Sequence, residues 1–295
     1  MIGAVQGNIQ NSYLYKMKTL VREIKFARLL QSIYNHGLFK QNSVVDKFQS
    51  RMRIKDSRRS SIKFVLSSYY YSYEINGYDK TQQIVEELFT LRNEIQLSLK
   101  QRWGDDLQGV GGNICGKEIL LYNLVLKYKP NIVIETGVAQ GISSRFILEA
   151  LKKNNHGILI SVDLPNYVES GKINSDGQFD GVHVKKDLGV GWLVPEELKD
   201  RWELYLGDAK SILPSIKEDA DIFVHDSDHS YGHMMFEFEF ASKHLSENGI
   251  LVSDDIGWNS SFNDFLSLHQ DAFAAIYVDK FTGIVRKKPT LAQVT

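Results

Sequence analysis

The spacing of apolar residues changes along this chain, and the changes mark its parts. Between residues 14 and 34 apolar positions recur at helical intervals, at Leu14, Met17, Val21 and Ile24 and then at Leu29, Leu30 and Ile33, with Lys16, Lys18, Arg22, Lys25 and Arg28 between them. A second helical pattern runs through Ile84, Val85, Leu88, Leu91, Ile95 and Leu99 to about Trp103, with Asp79 or Thr81 placed to cap it. A third occupies residues 117–128 and is stopped by Pro130. Thereafter strands and helices alternate. Ile132, Val133 and Ile134 form a β-branched run without alternation, as a strand covered on both faces requires. Residues 142–152 read as a helix, 157–163 as a strand, 202–206 as a strand, 209–216 as a helix, 221–225 as a strand, 234–245 as a helix and 250–253 as a strand. Such alternation predicts a parallel sheet with right-handed crossovers. Residues 274–278 and 283–286, joined by a turn-rich connection, predict a terminal antiparallel hairpin.

These elements divide the chain into a mainly helical part, residues 1–108, and an α/β domain, residues 109–295, joined near a link that contains Gly109, Gly111 and Gly112. Charge reinforces the division. Residues 1–70 hold 13 Lys or Arg against 3 Asp or Glu, whereas the rest holds 22 against 33. The polarity suggests either docking of one part on the other or an anionic partner for the first. The basic helix at 14–34 suits packing on its own domain or on a second subunit better than an anionic membrane surface, and a homo-oligomer is the expectation. The basic run at 51–59, followed by Tyr69, Tyr70, Tyr71, Tyr73 and Tyr78, allows phosphate contact with base stacking. A solvated loop before a tyrosine-rich strand or helix face is the preferred reading, and nucleic acid is not the expected partner.

The composition is that of an ordinary soluble protein, 43% hydrophobic and 11% aromatic over 295 residues. Its single cysteine, Cys115, permits no internal disulfide. No apolar run reaches the roughly 18 residues of a membrane span, and the first residues carry no signal-peptide core, so a cytoplasmic location is expected.

Candidate chemistry gathers at strand ends. The strand at 132–134 closes on Glu135, and Gly137 and Gly141 let the backbone bend and approach a ligand before a helix whose first amides are unpaired. The strands that follow also end in acids: Asp163, then Asp208, then Asp226 within His225-Asp-Ser-Asp-His-Ser-Tyr231, then Asp254 and Asp255. Carboxyl ends of parallel strands share one edge of a sheet, so these acids should converge. Asp163 stands about two dozen residues beyond Gly137, where dinucleotide and related folds place an acid for ribose hydroxyls. Asp226, Asp254 and Asp255 suit a hard divalent cation, the preferred reading over the alternative that one or more of them merely caps the following helix. His225, His229 and His233 have zinc-like spacing but should not share one face, because the first belongs to a strand. His229 is expected near the acids as a general base titrating near neutral pH. The insertion at 165–195, rich in Gly and Asp, follows a strand end and is expected to cover a substrate.

Glu135-Thr-Gly-Val-Ala-Gln-Gly141, Ser161-Val-Asp163, Gly207-Asp-Ala209 and His225-Asp-Ser-Asp-His-Ser-Tyr231 resemble the class I S-adenosylmethionine-dependent methyltransferases. With Ser253-Asp-Asp255, the set is similar to the metal-dependent O-methyltransferases, those acting on macrolide sugars and, more distantly, catechol O-methyltransferase. The resemblance covers about residues 110–290. It implies a doubly wound, mostly parallel Rossmann-like seven-stranded sheet with an antiparallel C-terminal hairpin. It further implies that S-adenosyl-L-methionine lies with its methionine part by Glu135, Gly137 and Gly141 and its carboxylate near Ser143. Asp163 would then hold the ribose, Asp208 and Ala209 would contact the adenine, and Asp226, Asp254 and Asp255 would coordinate Mg²⁺. His229 falls where such enzymes carry a base, and a small hydroxylated acceptor, such as a sugar, is implied. Two departures stand out. Ala139 replaces the middle glycine, tolerable if its φ is negative, and Asp255 replaces the asparagine of the catechol enzymes.

Other readings compete. A nicotinamide-dependent oxidoreductase would need the fuller G-x-G-x-x-G turn. A nucleic-acid methyltransferase would suit the basic first part, but no Asn-Pro-Pro-Tyr or Asp-Pro-Pro-Tyr motif is present. A non-catalytic module that binds the cofactor or serves in assembly is the remaining alternative.

Overall fold

The computed structural model describes residues 56–104, 114, 116–165, 184–278 and 281–289. The basic helix expected at 14–34, the first half of the basic run, most of the glycine link and residues 166–183 of the insertion lie outside the described residues. The chain divides into two units, residues 1–85 and 86–295. In the first, α1 (Asp56–Asn76) takes in Tyr69, Tyr70, Tyr71 and Tyr73, which are therefore helical, with Phe64, Ser68, Tyr71 and Ser72 buried at three- to four-residue spacing. Helix α2 (Tyr78–Ser98) spans the boundary and begins earlier than its apolar pattern suggests. Thr81 does not cap it; its hydroxyl donates back to the Gly77 carbonyl at 2.8 Å. A π-helical turn, Leu99–Trp103, follows.

The second unit opens before residue 109 because the later half of α2 is built into it. Glu87 accepts hydrogen bonds from Tyr122 and Lys153, and Glu94 pairs with Arg145 at 2.6 Å. Helix α3 (Lys117–Tyr128) leads to β1 (Ile132–Thr136), and α4 (Ile142–Asn154) to β2 (Ile158–Asp163). Then come β3 (Trp202–Leu206), the short α5 (Ala209–Ile212), β4 (Ala220–His225), α6 (Tyr231–His244), β5 (Leu245–Ser253), α7 (Ser261–Leu268), β6 (Phe273–Val278) and β7 (Gly283–Lys287). The helix expected at 209–216 tightens into a 3-10 turn at Leu213–Ser215, because Pro214 has no amide to continue it.

The sheet order is β3-β2-β1-β4-β5-β7-β6. The first five strands are parallel, and β7 runs antiparallel to both β5 and β6. This is a doubly wound, Rossmann-like seven-stranded sheet, with the expected hairpin at its end. Val133, Ile134, Ile222, Phe223, Val224, Leu251 and Val252 are fully buried, which explains why their segments read as unbroken apolar runs. One face is closed by α5, α6 and α7 through Leu213, Met234, Phe238, Phe262 and Phe265. Helices α3 and α4 pack together elsewhere in the unit. Helix α7 escapes the apolar pattern because it is only eight residues long; local polar bonds define its start, Asn259 accepting the Ser261 amide at 2.9 Å and Ser260 donating to Asp264 at 2.7 Å.

The sheet reverses its direction of winding between β1 and β4, the switch point outside whose strand carboxyl ends open α/β sheets form their ligand crevice. The site lies there.

Candidate functional site

The turn after β1 is the floor of the crevice. The Asp226 amide donates to the Thr136 carbonyl at 3.0 Å, so the ends of β1 and β4 run side by side. At Gly137, φ is +81° and a Cβ would stand 2.0 Å from the Asp226 carbonyl oxygen. No larger residue fits there. At Gly141, φ is +84° and a Cβ would meet the Gly191 backbone at 2.9 Å. Between them Ala139 has φ +48°, so the condition under which alanine replaces glycine without strain is not met. That conformation costs an alanine about 1–2 kcal/mol. Its partners offset the cost: Asp163 Oδ1 accepts the amides of Val138 and Ala139 at 2.7 and 3.2 Å, and the Ala139 carbonyl accepts from Gly191 at 2.8 Å.

The described end of the insertion grips the same turn. Leu193 N donates to the Gln140 carbonyl at 3.0 Å, and the Trp192 indole to Gln140 Oε1 at 2.6 Å. Residues 184–195 thus brace the turn, while the part expected to cover a substrate falls mainly among residues outside the description.

Glu135 lies wholly inside. Its Oε1 accepts from Ser143 at 2.6 Å, and its Oε2 from Ser144 at 2.6 Å and Ser161 at 3.0 Å. Burial raises its pKa, and the three hydroxyls partly counter the rise. It ties the start of α4 to β1 and β2, and Ser143 is engaged with it. Helix α4 starts at Gly141 with no side-chain cap, which leaves first-turn amides for an anionic group. Asp163 is buried with one oxygen on the turn, as above. Asp208 is exposed and caps α5, accepting the Lys210 amide at 2.9 Å, and Ala209 enters the core. Glu135, Gly137, Gly141, Ser143 and Asp163 come together around the turn, and Asp208 with Ala209 follows the neighbouring β3.

At the ends of β4 and β5 stands a residue that no motif singled out. The Lys117 ammonium donates to Asp226 Oδ2 and to Asp254 Oδ2, the latter at 2.7 Å. Burial alone would lower the Lys117 pKa, but the two carboxylates more than offset this and hold it well above its ordinary value. Burial would likewise raise Asp254, yet Lys117 beside it brings the carboxyl down to about 2. Asp226 moves upward, because burial and the Asp254 charge outweigh the lysine. Asp255 adopts φ +48°, and burial and Asp254 raise its pKa.

The acids do not fit a bound Mg²⁺ as folded. Among the described residues no group of three or more His, Cys, Asp or Glu side chains is placed to hold a metal ion. Such an ion needs oxygens at about 2.0–2.1 Å in near-octahedral array, whereas Asp226 and Asp254 both engage an ammonium and Asp255 is not hydrogen-bonded to it. The position of Lys117 had two signals in the sequence. A helix that precedes β1 and reverses into it begins at the level of the strand's carboxyl end, and a cation in a first turn opposes the helix dipole unless something compensates.

His229 is placed beside the acids, between His225 and Trp258, with ring centroids 5.3 and 5.2 Å away. Its Nε2 is buried without a hydrogen-bond partner. Burial, with His225 adjacent, pushes its pKa down to about 3, so the expected titration near neutrality is not found. Trp258 is 42% exposed and walls this side. Behind it Glu237, fully buried, accepts from Thr136 at 2.5 Å and Ser227 at 2.8 Å and meets His225 Nδ1 at 2.5 Å and His233 Nε2 at 2.8 Å. The three histidines therefore do not converge on a zinc position: two share a glutamate and the third does not.

Residues 134–256 match the family model described as a methyltransferase domain. No curated protein sequence matches the chain. Among solved structures, the O-methyltransferase from Bacillus cereus in complex with SAH is similar at 15% identity and a TM-score of 0.46, over 68% of this chain and 90% of that one. TomG from Streptomyces achromogenes, an O-methyltransferase involved in tomaymycin synthesis and solved with SAM, is similar at 14% identity and 0.45, over 67% and 89%. The SAH-bound methyltransferase PaMTH1 from Podospora anserina gives 12% and 0.44, over 67% and 87%. The family match begins on β1 and ends just beyond Asp255, so it includes every acid of the site and excludes Lys117.

Proposed function

We propose that this chain, whose residues 134–256 match a methyltransferase-domain model, is a class I S-adenosylmethionine-dependent methyltransferase that transfers a methyl group to a hydroxyl oxygen of a small acceptor such as a sugar. The observation that carries this reading is the meeting of two half-sites at one crevice. The turn from Gly137 to Gly141, with uncapped α4 amides behind it, is shaped for the cofactor, and Asp226, whose backbone touches that turn, begins the polar cluster facing it.

S-adenosylmethionine supplies an electrophilic methyl group on a sulfonium sulfur. The protein's task is to align the acceptor oxygen with that carbon and sulfur, which is worth several powers of ten in rate, and to remove the hydroxyl proton. Asp226 is suited to take the proton, since burial makes its carboxylate more basic than an exposed one. His229, neutral at physiological pH, offers an unpartnered Nε2 to orient the hydroxyl. Trp258 and the Gly191–Val194 backbone limit water at the two sides. The Mg²⁺ reading finds no ligand group among the described residues.

The test is equilibrium binding of S-adenosylmethionine followed by a screen of glycosylated and phenolic acceptors with methyl-labelled cofactor. Product carrying the label on oxygen supports the proposal; absence of cofactor binding by folded protein refutes it. Label on nitrogen in a nucleic acid would favour the alternative read from the basic first part.

A further inference from the structure

We propose that Lys117 is a built-in cation that holds Asp226 and Asp254 together in the position a divalent ion would take, so that the acceptor site works without a bound metal. The inference rests on the reading of this crevice as the methyl-acceptor site. Four observations carry it. The ammonium reaches one oxygen of each carboxylate at hydrogen-bonding range. Its side chain is 10% exposed while those of Asp226 and Asp254 are 25% and 21% exposed, so the lysine is the most buried of the three. Lys117 occupies the first helical position of α3, where the helix dipole disfavours a cation, and the two carboxylates are what compensate it there. Finally, α3 cannot easily withdraw, because Ile119, Leu121 and Val125 are fully buried.

A divalent ion placed between the same carboxylates would bring its two charges against the ammonium and would have to displace it from both oxygens. With the lysine in place, the cluster of Lys117, Asp226 and Asp254 carries one negative charge in total. An ammonium has three N–H donors, two of which the carboxylates use. Lys117 also lies within electrostatic range of Glu135, His229 and Asp255, so one charge serves both halves of the crevice.

The experiment is Mn²⁺ binding followed by electron paramagnetic resonance on the full chain, for wild type, Lys117→Ala and Lys117→Gln. Wild type is expected to show no specific binding up to about 1 mM, the range of weak protein cation sites. At least one variant is expected to bind at least about tenfold more tightly, because the carboxylates are then uncovered. Wild-type binding that Asp226→Asn removes would overturn the proposal, and so would silence in both folded variants, since the lysine would then exclude nothing. S-adenosylmethionine binding, measured calorimetrically on the same three proteins, tests the methyltransferase reading separately. Its loss in wild type would count against that reading and leave the Mn²⁺ result to decide the role of Lys117.

Discussion

Replacing Glu237 by alanine removes a buried carboxylate that joins the ends of β1 and β4 to α6. In the wild type it is bonded by Thr136, His225, Ser227 and His233, all within 2.8 Å and with no solvent contact of its own. Truncation strands buried polar partners, a change that typically costs about 3–5 kcal/mol. At about 2–4 °C per kcal/mol for a domain of this size, the melting temperature should fall by about 10 °C. Glu237→Gln, which keeps shape and part of the bonding, should lose less than half of that. The acid limb gives a second measure. Burial alone would raise the Glu237 pKa, but His225 and His233 hold it far below its ordinary value. A depressed folded pKa contributes stability above the unfolded value, near 4.5, that is lost as pH falls from there toward the folded value. His229, held neutral by burial, adds a limb that begins nearer 6.5 and runs down toward about 3. The difference between wild type and Glu237→Gln below about pH 4.5 therefore isolates the glutamate. His233 acts oppositely: burial works against its charge, Glu237 overcomes that and raises its pKa, and its contribution fades as pH rises past 6.5 through the folded value. Chemical denaturation at a series of pH values checks all three. A Glu237→Ala protein melting within a degree or two of wild type, with an unchanged acid limb, would refute this account of the network.

Three further outcomes follow from the site. Gly137→Ala forces a Cβ to within 2.0 Å of the Asp226 carbonyl, so calorimetry should show cofactor affinity reduced by more than about tenfold; an unaltered affinity would mean that the β1 turn is not the cradle. Asp163→Ala frees Val138 and Ala139 and should destabilise the domain by about 2–4 kcal/mol in urea titrations, and Ala139→Gly in the same background should recover part of the loss. His229→Gln should lower the methyl-transfer rate without moving the pH profile between about 5 and 7, because the wild-type imidazole does not titrate there; loss of a limb near pH 6.5 would return His229 to the role of general base.

The sheet was legible because its central strands are covered on both faces. Val133, Ile134, Ile222, Phe223, Leu251 and Val252 leave no polar position to interrupt the run, and each run ends at the acid that reaches the crevice. The short elements were not. Helix α7 draws its definition from Asn259, Ser260 and Asp264 rather than from a periodic stripe, and Pro214 converts the second half of an expected α-helix into a tighter turn. Local polar bonds and one missing amide decide such elements, and the apolar spacing carries neither.

The site divides along the same line. Residues supplied by strand ends were identifiable, since a parallel sheet sends all its carboxyl ends to one edge and Glu135, Asp163, Asp226 and Asp254 had only to be counted. Their partners were not, because a partner is fixed by where a helix begins in space. Asp226 and Asp254 looked like metal ligands because two carboxylates at adjacent strand ends require a positive charge, and that requirement is sound. The sequence contains a second way to meet it. Lys117 opens the helix that turns back into β1, which sets it at the level of Thr136 and thus of Asp226. A lysine in a first helical turn opposes the dipole by about 0.3–1 kcal/mol. A chain that tolerates such a placement in the helix leading to a cofactor strand is reporting an acid within reach. The ammonium holds down both aspartates, and they differ because burial and the Asp254 charge prevail over it at Asp226, which is raised, whereas at Asp254 burial is overcome by the lysine and the carboxyl is lowered. One acid held firmly ionised beside a neighbour nearer to accepting a proton is an arrangement suited to taking a proton from a hydroxyl, and the shared ammonium keeps the two carboxylates side by side.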